Sequence, residues 1–174
     1  PRTGPRLPSM RVTLAQLDPV VGDLLANGRM ILDAVRRAAA DDADLLVTGE
    51  LSIIGYPPRD LLVRGDVIDA CERAAAEVAA EAARLAPGLV LLLGHPRRTN
   101  EGVRGVRNAV TAWRGGRRIA VVDKRLLPGY DVFDEDRWFD PAPDAQPPVP
   151  VAGRPVGVVL CEDLWRSVDA GDTA

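Results

Sequence analysis

An α/β protein with a mixed sheet and helices on at least one face is the fold class that the sequence predicts, on three observations. Short apolar runs alternate with amphipathic helical patterns over the first ninety or so residues. The run Leu89–Leu93 is apolar at every position, which implies a strand buried on both faces. Arg114-Gly-Gly-Arg117 then gives a tight hairpin signal, so the later strands turn back antiparallel. The expected order is β-α-β-α-β-β-β-loop-β in one domain, and a chain of 174 residues is long enough for a true hydrophobic core.

The elements follow in turn. Arg11–Leu17 reads as the first strand, and Asp18-Pro-Val-Val-Gly-Asp23 as its turn. From Asp23 to about Ala40, apolar Leu24, Ile31, Ala34, Val35 and Ala38 share one helical face. Asp44–Thr48 is a second buried strand, followed by a loop punctuated with Gly and Pro. Val67–Leu85 repeats the helical period and stops at Pro87-Gly88. Leu89–Gly94 is the third strand, and Asn108–Trp113 with Arg117–Val122 forms the hairpin. Residues 125–154 have much Pro, Gly and Asp and little periodicity, so they read as a long loop, of the kind that in compact domains usually carries function. Pro155–Leu160 is expected to be a last strand leading directly into Cys161. Residues 1–9 read as an extension or disordered segment, and residues 10–174 as the domain itself.

Composition excludes several function classes. The chain is 47% apolar and 27% charged with a net charge of −3, and its arginines are scattered among acids, so nothing favours nucleic acid or an anionic membrane. No apolar stretch approaches a membrane span, which points to a cytoplasmic protein. Two cysteines, Cys71 and Cys161, do not make a disulfide framework. With one histidine, His95, they do not make a metal site either. There is no phosphate-binding glycine loop. Of 22 basic residues only Lys124 is lysine, which suits a place needing a compact ammonium rather than a planar guanidinium.

Three residues are placed for chemistry. Glu50 follows the second strand, Lys124 follows the strand Ile119–Asp123, and Cys161 follows the last strand. The carboxyl rim of the strands is where α/β folds bind ligands. For Glu50 the plain alternative is a solvated loop charge. Cys161 stands where a thiol pKa is usually lowered and where the following backbone N–H groups can receive an oxyanion. Cys71 lies among alanines on a helix face and reads as a small core residue. A Cys–His hydrolase would have to use His95, so the base of a thiol hydrolase here is more readily a carboxylate. The segment Leu127–Phe139 mixes Tyr130, Phe133, Trp138 and Phe139 with Asp131, Asp134 and Glu135, a composition suited to a small zwitterion. A surface loop pinned by its aromatics is the alternative.

Glu, Lys and Cys at strand ends, in that order, resemble the carbon–nitrogen hydrolase (nitrilase) superfamily. Glu50-Leu-Ser-Ile-Ile-Gly-Tyr-Pro-Pro-Arg-Asp-Leu-Leu62, the Lys124 segment through Phe139, and Cys161-Glu-Asp-Leu-Trp165 are similar to the glutaminase segments of glutamine-dependent NAD synthetases. The likeness runs from about Met10 to Arg166. Thr48-Gly49 departs from it, since family members usually carry an aromatic and a proline before the glutamate.

The resemblance implies a nitrilase-like α-β-β-α sandwich, incomplete beyond the nucleophile strand because family members continue past the cysteine. It implies that Cys161 attacks the side-chain amide of glutamine, that Glu50 is the base, and that Lys124 with the backbone N–H of Glu162 stabilises the oxyanion. Tyr56, Tyr130, Glu135 and Trp165 would line the glutamine pocket, with Glu135 receiving the α-ammonium. The ammonia would pass to a C-terminal NAD synthetase domain that binds ATP and deamido-NAD, leaving this chain without a cofactor or a metal of its own. The complete protein would be a homo-oligomer. Two other readings compete: an amidase or nitrilase acting on another small amide, and a non-catalytic fragment serving as an interaction module.

Overall fold

The computed structural model describes residues 9–165. Its main sheet has five strands in chain order: β1 (Val12–Ala15), β2 (Leu45–Thr48), β3 (Val90–Arg98), β4 (Val106–Arg114) and β5 (Arg117–Asp123). The first three run parallel and the last two are antiparallel, giving the expected mixed α/β sheet. Helices α1 (Leu24–Ala40) and α2 (Gly65–Leu85) supply the crossovers. The expectations for residues 1–8 and from Arg166 onward fall outside the described residues.

Period-2 alternation divides the strands between two cores. Leu46, Leu91 and Leu93 face α1 and α2 and pack with Ile31, Val35, Ile68, Cys71 and Val78. Leu45, Val90, Leu92, Val110 and Val122 face the other way. That explains why Leu89–Leu93 is apolar throughout: both faces of β3 are covered. Helix α1 begins at Asp23, whose carboxylate accepts the Ala26 N–H at 2.9 Å, a normal N-cap. One polar residue interrupts its apolar face. Asn27 is buried and binds the backbone of Val20 through both N–H and C=O, and it also donates to the Ile53 carbonyl. It therefore ties the turn after β1 to the loop carrying Glu50.

The region after β5 differs from expectation. Within the predicted loop lies β6 (Val149–Val151), which pairs with β7 (Arg154–Val156) in a separate two-stranded hairpin over the second core. The predicted strand Pro155–Leu160 is thus a strand only as far as Val156, and it does not belong to the main sheet. Its sequence does alternate: Val156 and Val158 are partly buried, and Leu160 is fully so. What it lacks among the described residues is a partner. The Ala152-Gly153 turn folds Arg154–Val156 back onto β6, and the extended backbone beyond finds no ladder. Alternation reports sidedness, but a strand needs a neighbour as well.

Candidate active site

Glu50 stands two residues beyond β2, in a loop pressed against β3. Ile53 N–H donates to the Gly94 carbonyl at 3.1 Å, and Thr48 Oγ1 links the Ser52 hydroxyl (2.8 Å) to the Leu92 carbonyl (3.0 Å). A Cβ on Gly94 would sit 2.5 Å from the Gly49 carbonyl oxygen and 2.7 Å from the Leu51 nitrogen, so only glycine allows this approach. The Thr48-Gly49 departure from the family pattern therefore comes with a loop anchored by the Thr48 hydroxyl.

Lys124 follows β5 directly and is 0% exposed. Its Nζ donates to Glu50 Oε1 and to Glu135 Oε2, each at 2.7 Å. Glu135 begins a short 3₁₀ turn, Glu135–Arg137, and its side chain is only 5% exposed. Its other oxygen accepts the Tyr56 hydroxyl at 2.9 Å. Asn108 of β4 donates its side-chain N–H to Glu50 Oε1 at 2.6 Å. Two carboxylates and one ammonium thus share a buried cluster. Burial alone would lower the Lys124 pKa, yet the two glutamates outweigh it and hold the ammonium above its usual range. Burial and the neighbouring Glu50 push the Glu135 carboxyl up, against the pull of Lys124 and Tyr56. The Tyr56 hydroxyl is raised as well, by burial and by Glu135.

Cys161 opens the 3₁₀ turn Cys161–Leu164 with φ +43° and is exposed. A non-glycine residue in that region carries strain, a feature that gathers at functional sites. Its thiol does not have the lowered pKa that its position in the sequence suggested. Burial and the charges of Glu50 and Glu135 raise it, while Lys124 and the Glu162 backbone N–H pull it down. The thiol is the favoured form, and a nucleophilic role would need a base beside it. Both oxygens of Glu135 are engaged, whereas Glu50 is 20% exposed and, among the described residues, only its Oε1 accepts a hydrogen bond.

The remaining predicted residues are distributed around this centre. Tyr56 and Tyr130 flank Phe133, with ring centroids at 6.4 and 5.9 Å. Tyr130 donates its hydroxyl to the Glu162 carboxylate at 2.8 Å. Tyr56 and Glu135 line a cavity of about 450 Å³ with Trp138, Phe139 and Arg137. Tyr56 and Glu50 line a second, of about 330 Å³, beside β1 and β2. Trp165, at 75% exposure, stands out from the molecule. Glu135 accepts from Lys124 on one oxygen and from Tyr56 on the other, and so braces the lysine.

Two residues of the site had no assigned role in the sequence. Asn108 is one. The other is Asp163, whose carboxylate accepts the backbone N–H groups of Arg125 (3.1 Å) and Leu126 (2.8 Å), clamping the nucleophile turn to the loop that follows Lys124. His95 takes no part. It is buried between β3 and β4 with Thr111 Oγ1 on Nε2 at 3.0 Å and the Pro96 carbonyl on Nδ1 at 2.9 Å. Among the described residues, no cluster of three His, Cys, Asp or Glu side chains could hold a metal ion. No helix there is long and apolar enough to cross a membrane.

Comparison with known proteins gives a consistent picture. Residues 11–167 match the family model described as Carbon-nitrogen hydrolase. The chain is 42% identical over 171 residues to a glutamine-dependent NAD(+) synthetase of Xanthomonas campestris pv. campestris, covering 94% of this chain but 30% of that one. The solved structure of the glutamine-dependent NAD+ synthetase from Acinetobacter baumannii, in complex with ADP, is 31% identical with a TM-score of 0.78, over 90% of this chain and 28% of that one. An amidase from Nesterenkonia sp. is 27% identical with a TM-score of 0.70, over 89% and 56% of the two chains. The chain therefore spans less than a third of the synthetases that it matches.

Proposed function

The chain belongs to the carbon–nitrogen hydrolase family, and from that premise we propose that it hydrolyses the side-chain amide of glutamine through a thioester on Cys161. The observation that carries this reading is the arrangement of the three charged groups. One ammonium is fixed between two carboxylates, and of the two only Glu50 has an oxygen with no hydrogen bond among the described residues.

The reaction runs in two halves. Cys161 Sγ attacks the amide carbon while its proton passes to Glu50. The negative charge arising on the amide oxygen is met by the third N–H of Lys124, the other two being engaged, and by the backbone N–H of Glu162. Glu50 returns the proton to the departing nitrogen, ammonia leaves and the acyl thioester remains. Water then attacks that thioester, giving its proton to Glu50, and release of glutamate restores the thiol. Glutamine and water become glutamate and ammonia, with no cofactor in either half. The resemblance of the Glu50, Lys124 and Cys161 segments to glutamine-dependent synthetases supports a further step beyond this chain. The ammonia would amidate deamido-NAD in a C-terminal, ATP-dependent synthetase domain.

The test is ammonia release from glutamine against a panel of aliphatic amides, with and without Cys161→Ala. Preference for glutamine, lost by a factor on the order of 10⁴ or more in the variant, is expected. Equal rates on the aliphatic amides would favour a general amidase, and unchanged release by the variant would reject the mechanism.

A further inference from the structure

We propose that Asn108 is a positioning residue that fixes the orientation of the Glu50 carboxylate so that one oxygen faces away as the base, an inference that rests on the thiol hydrolase reading above. Asn108 lies in β4, is 0% exposed, and binds the site twice. Its carbonyl accepts the Lys124 backbone N–H at 2.8 Å, and its side-chain Nδ2 donates to Glu50 Oε1 at 2.6 Å. One β4 residue therefore sets the height of the ammonium and the rotation of the carboxylate together.

The orientation of the amide follows from chemistry. An ionised carboxylate only accepts, so the NH₂ end of Asn108 must face Glu50. Oδ1 is then left buried without a hydrogen-bond partner among the described residues. An unsatisfied buried acceptor is unfavourable, and a leucine of similar size would remove it. The polar side chain is thus a poor choice for stability in that strand and a sensible one for holding Glu50.

The effect on Glu50 is specific. Lys124 alone would leave the carboxylate plane free to turn about its torsion. With Asn108 and Lys124 both on one oxygen, turning the plane out of this orientation breaks two hydrogen bonds, so one oxygen stays presented. This differs from the role of Glu135, which fixes the lysine.

The experiment uses the full-length protein and the variants Asn108→Leu and Glu50→Gln. In Asn108→Leu we expect kcat on glutamine to fall about 100-fold, as for a misplaced catalytic group, with KM within about twofold. The melting temperature should be unchanged or raised, which a residue with only a packing role would not give. A second readout is independent of glutamine: the rate at which iodoacetamide alkylates Cys161. Wild type should react faster than Glu50→Gln, and Asn108→Leu should fall to the Glu50→Gln level. That pattern with no glutaminase activity in wild type would sink the substrate assignment and leave the positioning role standing. Alkylation of Asn108→Leu at the wild-type rate, or a kcat loss matched by a lower melting temperature, would overturn it. So would equal alkylation of wild type and Glu50→Gln.

Discussion

Asp123 and Lys124 are neighbours in the chain, and each centres a buried ionic cluster, yet the two clusters are built in opposite ways. Asp123 is one acid held by two bases. Arg97 grips it with Nε on Oδ1 at 2.6 Å and Nη2 on Oδ2, and Arg107 adds Nη1 on Oδ2 at 3.1 Å. Lys124 is one base held by two acids, a single bond to each. The guanidinium fork fills both carboxylate oxygens and leaves a static joint between β3, β4 and β5. The ammonium fills one oxygen of Glu50 and leaves the other for chemistry. Side chain shape, beyond charge, separates a structural ion cluster from a reactive one. It also gives a reason why the only lysine of this arginine-rich chain stands here.

Removing Asp123 should have the largest effect on stability. Asp123→Ala strands two guanidinium groups, one of them buried, and should lower the unfolding free energy by about 3–5 kcal/mol in a urea titration. Arg97 is partly exposed, so the lower end is expected. Cys161 in the folded fraction should still be alkylated at its usual rate; if it is not, the two clusters are one functional unit and the contrast fails.

Lys124→Arg tests the other side. The larger planar group cannot keep one bond to each glutamate and a third donor for the oxyanion, so kcat should fall roughly 100- to 1,000-fold. A circular dichroism spectrum should show the fold retained. Near-normal turnover would mean that shape does not matter here and that charge alone suffices.

His95 offers a polar site without ionic partners. Burial holds its pKa down at about 4, against an ordinary value of 6.5. The unfolded chain therefore binds the proton first, and stability is fully present above pH 6.5 and lost as pH falls through 6.5 towards 4. That group should contribute about 3 kcal/mol of acid destabilisation. Melting curves of His95→Gln should be flatter over this window than those of wild type; parallel curves would remove His95 as the cause.

The smallest effect belongs to Cys71. It lies in α2 in the helical core, and burial pushes its thiol up to about 12. Cys71→Ala should cost about 1 kcal/mol and leave turnover unchanged. A large loss of turnover would contradict the assignment of reactivity to Cys161.

Legibility in the sequence followed the range of the interaction. The five sheet strands and both helices could be read because burial on one or two faces prints a local period. Glu50 and Lys124 stood out because each comes within two residues of a strand's end at the sheet's rim. The pairing of Glu135 with Lys124 was not readable: ten aperiodic residues separate them, and the 3₁₀ turn that brings them together has no periodic signal. Asn108 had no clear one, since β4 also carries Arg107 and Thr111 among its apolar residues. Asp163 belongs to the Cys161–Trp165 motif, but its bonds to the Arg125 and Leu126 backbone depend on how two distant loops meet. The segment before Cys161 shows the same limit: its alternation is local, whereas the ladder partner it lacks among the described residues would be distant.

The central claim is that this cluster makes Cys161 the nucleophile toward the glutamine amide. Glutamine can be mixed with the protein, the reaction quenched in acid within its first turnovers, and the peptides weighed by mass spectrometry. A glutamyl group should be found on the peptide containing Cys161, absent in Glu50→Gln, with Cys71 unmodified. Ammonia release with no such adduct, or an adduct on Cys71, would contradict the account.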